Sequence, residues 1–175
     1  MNLLRFLIPL LLLGSACAEQ GSTQKFMCNV GYSPEECHRQ FAVLRPVLAR
    51  FQAEAVGDWS WILVRSSDWK ELAQRLGGNP DSPAFSVLEM RVTVFEEALV
   101  EPIPQRRAEL MKIWHMRMVD LLDEAVTHEL GHALCRDTSE ARAESRAQAM
   151  QHGEKLACLM PNGKGRPTER PLFGR

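Results

Sequence analysis

Two hydrophobic periods alternate along this chain. Cys37, Phe41, Leu44, Leu48, Phe51 and Ala55 repeat at helical spacing. They follow Ser33-Pro34-Glu35-Glu36, where a cap, a proline at the first helical position and a capping-box glutamate mark a helix start. Pro46 falls inside the run and predicts a kink. WSWILVR at 59–65 is rich in aromatic and β-branched residues and predicts a strand, and 67–76 predicts a short helix closed by Gly77 and Gly78. After the turn-rich GGNPDSP, the stretch FSVLEMRVTVF at 85–95 predicts one extended, half-exposed segment. Met90, Val92 and Val94 lie on one face of it and Glu89, Arg91 and Thr93 on the other. Pro102 and Pro104 precede a long helical pattern from Gln105 to Cys135, and a further helix is expected from Ser139 to His152. The mixture predicts an α+β domain, and no internal repeat interrupts it.

Composition and the chain ends refine this reading. The 175 residues suffice for one domain with a real core, and 45% apolar with 25% charged residues reads as soluble and globular. A formal net charge of -1 implies no nucleic-acid footprint. The opening MNLLRFLIPLLLLGSACAEQ places Arg5 before an apolar run from Phe6 to Leu13 and small residues ending Ala16-Cys17-Ala18. This is the pattern of an export signal over 1–18, with an apolar run too short to span a bilayer. Cleavage after Ala18 fits the small-residue rule, and lipidation of Cys17 is the alternative that would attach the chain to a membrane. Both outcomes predict a periplasmic or secreted protein. Cys28, Cys37, Cys135 and Cys158 then remain, an even number suited to two disulfides in an oxidising compartment. Of the three connectivities, the local one, Cys28 to Cys37 and Cys135 to Cys158, is preferred. Residues 161–175, PNGKGRPTERPLFGR, are basic and rich in proline and glycine, and predict a disordered tail after a single domain over 19–160.

The chemistry concentrates in THELGHALCRDTSEARAE at 127–144. At about 100° per residue, His128 and His132 lie one turn apart on one helix face. Leu110, Trp114, Met118, Leu121 and Ala125 share that face, whereas Lys112, Arg117, Asp120, Asp123, Glu124 and Thr127 fall on the other, so the pair points inward. A lone inward histidine is ordinarily a hydrogen-bonded core residue. Two of them beside Glu129 would be costly without partners. The pattern H-E-x-x-H arises by chance in roughly one in a few hundred chains of this length, which weighs against coincidence. Neutral imidazoles with a carboxylate suit zinc, and a catalytic site keeps three protein ligands and an open position for water. Glu129, about 100° round from His128, can serve as general base instead of ligand.

The third ligand lies downstream. H-E-x-x-H-x-x-G-x-x-H is not present, because Cys135 stands at the glycine position and Thr138 at that of the third histidine, with Asp137 one position off. Cys135 follows His132 by three residues on the same face, but thiolate ligation would suit a closed structural site and strand Cys158. Glu140 is the better candidate. Asp137 or Ser139 can cap a helix that folds back beside the first, Glu140 and Glu144 share one face of it, and Ala143 and Ala147 permit close approach. One carboxylate can then bind the metal while the other supports a ligand imidazole. The bland alternative pairs both glutamates with Arg142 and Arg146 on the surface.

HELGH followed by EARAE resembles the gluzincin metallopeptidases, the thermolysin-like group, in which H-E-x-x-H is followed on a second helix by E-x-x-[SA]-[DE] or a close variant. The resemblance covers mainly residues 105–152. It implies Glu140 as third zinc ligand and Glu144 as support for a zinc-binding histidine, although the short gap after His132 leaves Glu144 open as the ligand. The compact size and the extended segment before the motif further resemble the single-domain minigluzincins. From this follows a zincin-like expectation: a small mixed or antiparallel sheet packed on a long active-site helix, with an edge strand that binds a peptide substrate by strand addition. The function implied is that of an exported zinc metallopeptidase acting on peptides or proteins. The alternative is a zinc-stabilised exported module without turnover, suggested by Cys135 and by the lack of an obvious oxyanion partner. Tyr32, His115 and His152 are weak candidates for that last role.

Overall fold

Backbone donors at the start of α1 (Pro34–Arg50) are satisfied as the sequence predicts. The Ser33 hydroxyl accepts from the Glu36 N–H, and the Glu36 carboxylate accepts from the Ser33 N–H at 2.9 Å. This computed structural model describes residues 24–154, 156–158 and 168–169; the expected export signal, Cys17 and most of the basic tail lie outside them. Thr168–Glu169 (β6) is the exception within the tail. It pairs antiparallel with Ala157–Cys158 (β5), so the described part of a segment expected to be disordered is extended and paired. Helix α1 also runs through Pro46 to Arg50 without interruption.

The strands β1 (Lys25–Cys28), β2 (Ser60–Val64), β3 (Ala84–Val87) and β4 (Val92–Glu96) form one mixed sheet in the order β1-β2-β4-β3. The first three in that order are parallel, β1 reaching β2 by the α1 crossover, and β3 is antiparallel to β4 at the edge. Five helices complete a mixed α+β fold among the described residues. Side chains alternate between two cores. Trp61, Leu63 and Phe95 face a large core with Phe41, Leu44 and Leu48 of α1 and Leu121, Val126 and Leu130 of α4 (Met118–Cys135). Val64, Val94 and Phe85 face a smaller one with Trp69 and Ala73 of α2 (Ser66–Leu76), whose end Gly77 closes at φ 78°.

Four sequence expectations fail here. The single extended segment over 85–95 is instead a hairpin: Leu88–Met90 form a 3-10 turn and Arg91 takes the left-handed conformation before β4 begins. Thr93, expected on the exposed face, is fully buried, because β4 is an interior strand covered on both sides. The long helix expected from Gln105 to Cys135 is two, α3 (Pro104–Trp114) and α4, broken at His115 with φ 52°. No glycine or proline between 105 and 130 announces that break. Thr127, also expected to face solvent, is buried, and its hydroxyl donates to the Asp123 carbonyl.

Both disulfides have the local connectivity. Cys28 ends β1 and joins Cys37 in the first turn of α1, and Cys135, the last residue of α4, joins Cys158. Closing the second loop contributes about 3 kcal/mol in the chain-entropy account. With its sulfur bonded to Cys158, Cys135 is no thiolate ligand.

Candidate metal centre

Helix α5 (Glu140–Gln151) folds back onto α4 across a four-residue connection, Arg136 to Ser139. Small residues set the spacing: Ala143 and Ala147 are fully buried, and a Cβ built on Gly131 would lie 2.9 Å from the Ala143 carbonyl oxygen. Glycine at this point of α4 is therefore a packing requirement, and it brings the first residue of α5 over the histidine face of α4.

The result is a compact set of ligand atoms. His128 Nε2 lies 3.0 Å from Glu140 Oε2, His132 Nε2 lies 3.2 Å from His128 Nε2, and His132 Nε2 lies 3.5 Å from Glu140 Oε2. Bonds of about 2.0–2.1 Å in tetrahedral zinc put neighbouring ligand atoms about 3.3–3.4 Å apart, so this triangle fits such an ion. The Glu140 side chain is 79% exposed and that of His132 8%. The set is thus closed on the protein side and open toward solvent, as a site that admits water or substrate requires.

The opposite ring nitrogens have different partners. His132 Nδ1 lies 2.6 Å from the Asp137 carbonyl oxygen, which fixes its N–H there and leaves Nε2 free to bind. Asp137 is immobilised in turn. Its carboxylate accepts from Arg142 through Nε and, at 2.7 Å, through Nη2, from Arg146 at 2.8 Å, and from the Ser139 N–H at 3.0 Å. Arg142 above all, then Ser139 and Arg146, hold the Asp137 carboxyl far below its ordinary range. Arg146, itself buried, also donates to the Gly131 carbonyl at 3.1 Å and so staples the two helices. Hence Arg142 and Arg146 serve Asp137, and the surface pairs with Glu140 and Glu144 do not form. His128 Nδ1 faces Glu144 Oε2 at 3.6 Å, a looser contact, while Glu144 accepts from Gln148 at 2.8 Å. Glu144 thus stands on the Nδ1 side of His128, and Glu140 on the side where both Nε2 atoms meet.

Glu129 is 4% exposed and its Oε2 has no hydrogen-bond partner. Burial pushes its carboxyl up to about 7, opposed by the nearby Ser86 hydroxyl and by the neighbouring His132. Ser86 belongs to β3, where it pairs with Thr93 on the face covered by α4. The Ser86 and Thr93 hydroxyls are 2.8 Å apart, and Trp59 Nε1 donates to Thr93 Oγ1 at 3.0 Å. An indole can only donate. Trp59 therefore donates to Thr93, whose hydroxyl meets that of Ser86 on the cavity wall facing Glu129.

A cavity of about 490 Å³ opens between these two walls, with Ser86 and Ala84 on the strand side and His128, Glu129, His132 and Glu140 on the helix side. The register of β3 directs the backbone N–H and C=O of Ala84 and Ser86 away from β4, because the Glu96 N–H bonds to Pro83 and the pattern alternates from there. The rim loop after α2 is pinned: Trp69 donates to the Ser82 carbonyl at 2.9 Å and Trp114 to that of Asp81 at 3.2 Å. Arg106, in a buried ion pair with Glu96, reaches the Pro80 carbonyl.

Tyr32, His115 and His152 stay away from the cavity. The Tyr32 hydroxyl donates to Glu97 at 3.0 Å, and the two histidines sit at the C-terminal ends of α3 and α5. Sequence reasoning missed the roles of Ser86, of the Asp137 carbonyl with its two arginines, and of Gly131. Only the last left a local signal, a helix-weakening glycine inside an otherwise strong helical pattern. No family model matches this chain, and no curated protein or solved structure matches it.

Proposed function

We propose that this chain is an exported zinc-dependent metallopeptidase of the gluzincin type, with a zincin-like arrangement of edge strand, active-site helix and glutamate helix. The observation that carries the reading is the triangle of His128 Nε2, His132 Nε2 and Glu140 Oε2, with sides of 3.0, 3.2 and 3.5 Å, open to solvent beside the buried Glu129, whose Oε2 has no hydrogen-bond partner. His128, His132 and Glu140 would hold the zinc, with the Asp137 carbonyl and Glu144 behind the two rings. Bound there, zinc supplies Lewis-acid polarisation of a carbonyl and lowers the pKa of a water.

The chain's own groups do the rest. Glu129 accepts the proton of the attacking water and returns it to the departing amine, a role suited to a carboxyl raised toward neutrality by burial. Ser86, on the facing strand wall of the cavity, is placed to orient that carboxyl. A peptide laid along β3 bonds to the outward-facing backbone of Ala84 and Ser86, which places its carbonyls over α4. The disulfides are compatible with export. Among the described residues no helix is long and apolar enough to cross a membrane.

The test is a pair of measurements on the purified, oxidised chain. One zinc per chain should be retained through gel filtration, and Glu129→Gln should keep that zinc while cleavage of a peptide library falls by about 10³-fold. A protein that holds no metal, or a wild type no more active than Glu129→Gln, ends the proposal.

A further inference from the structure

The cavity beside the histidines carries one charged group that neither metal binding nor proton transfer uses. Glu124 lies one turn before His128 on α4, about 6 Å along the axis, and lines the cavity wall. It is half-buried, and its hydrogen-bond donor is the neutral side-chain amide of Gln151 at 2.8 Å. No lysine or arginine lines this cavity, and among the described residues none forms an ion pair with Glu124. The nearby acid Glu144 adds a second negative charge, because the ligand atoms of Glu124, His128 and Glu144 all lie within 4.8 Å of one another. The same cavity has apolar lining from Leu76, Leu88, Trp114, Leu121 and Ala125.

A cavity that sets apolar side chains and a carboxylate without a lysine or arginine partner in one lining is complementary to one kind of side chain, a methylene stem with a cationic head. We infer that Glu124 selects substrates with a lysine or arginine side chain next to the bond that lies over the histidine pair. The inference rests on the reading of the site as a peptide-binding cleft, and it names the substrate class: basic peptides, with acidic ones refused. The same charge disfavours a peptide's terminal carboxylate in this pocket, so the cleft takes internal segments of a chain.

Binding to the zinc-loaded Glu129→Gln protein, read by calorimetry, tests this without depending on turnover. The probes are N-acetylated, C-amidated alanine-glycine hexapeptides with lysine, norleucine or glutamate placed at each position in turn. Lysine should bind about tenfold more tightly than norleucine at one position, with glutamate weakest there. A second substitution, Glu124→Gln, should bring lysine and norleucine within twofold of each other, and Glu124→Lys should reverse the order of lysine and glutamate. Norleucine binding as well as lysine, a preference that survives Glu124→Gln, or no binding of any probe would overturn the inference. Its fate separates from that of the catalytic proposal. Charge selection in a protein whose wild type cleaves nothing removes the catalysis alone, and cleavage indifferent to lysine removes the selection alone.

Discussion

His132 and His128 sit one turn apart on α4, yet their surroundings differ. His132 is buried, and its Nδ1 is locked to a carbonyl whose own residue is clamped by two arginines and a backbone N–H. The His128 side chain is 22% exposed, and its Nδ1 meets a half-exposed carboxylate at 3.6 Å. One ring is held by the fold and the other is held more loosely, so on the proposed reading only the second would adjust to a bound ion. The contrast gives rigidity to the His132 side and access to the His128 side.

Removing Asp137 should erase the contrast at the greatest cost. Asp137→Ala leaves the buried Arg146 charge uncompensated, an expected loss of about 3 kcal/mol in denaturant unfolding. It also frees the carbonyl that orients His132, so zinc affinity should fall by up to about a hundredfold in chelator competition. The pH dependence has a definite sign. Because the folded Asp137 carboxyl titrates below its unfolded value, its stabilisation is complete above about pH 4 and is lost as pH falls through the depressed value. The stability gap between wild type and Asp137→Asn should therefore close on acidification, and a gap constant down to strong acid would contradict the assignment.

The histidines themselves separate next, in metal-free protein. His132→Ala strands a buried carbonyl and should cost about 2 kcal/mol, whereas His128→Ala should stay within about 0.5 kcal/mol, both read by thermal unfolding with chelator present. Equal losses would mean that the two rings are equally part of the apo fold. On the looser side, Glu144→Gln should weaken zinc by about tenfold and leave unfolding unchanged. The smallest effect concerns the strand wall. Ser86→Ala should lower kcat about threefold at constant KM, and Ser86→Thr should restore it, because only the hydroxyl that orients Glu129 is at stake.

Local chemistry was readable and long-range geometry was not. The capping box at Ser33, the stop at Gly77 and the helical phase of HELGH depend on neighbours a few residues apart, and each is where the sequence placed it. So is the second helix that carries Glu140 and Glu144. The hairpin at 84–96 was misread because its turn uses Leu88–Met90 and a left-handed Arg91, residues with no turn preference. Thr93 looked polar and exposed because alternation reports faces without saying that both are covered. Asp137 was weighed as a misplaced ligand, although its main-chain oxygen is what reaches the site, and every residue has one of those. The contacts from Thr93 to Ser86 and to Trp59 join positions 7 and 34 residues apart, which no local pattern encodes.

Gly131 has a consequence for how such a site could drift over time. It stands directly before His132 and packs on Ala143, three residues after Glu140. The close approach between the helices thus adjoins the candidate ligands His132 on α4 and Glu140 on α5, and it works as a caliper set by a single hydrogen atom. Residues elsewhere in the motif can change size with only local repair. A methyl group here opens the jaws, and the carboxylate withdraws from both imidazoles together. The four-residue connection offers little slack to bring it back, so lineages that abandon this glycine would have to shift the second helix as a body.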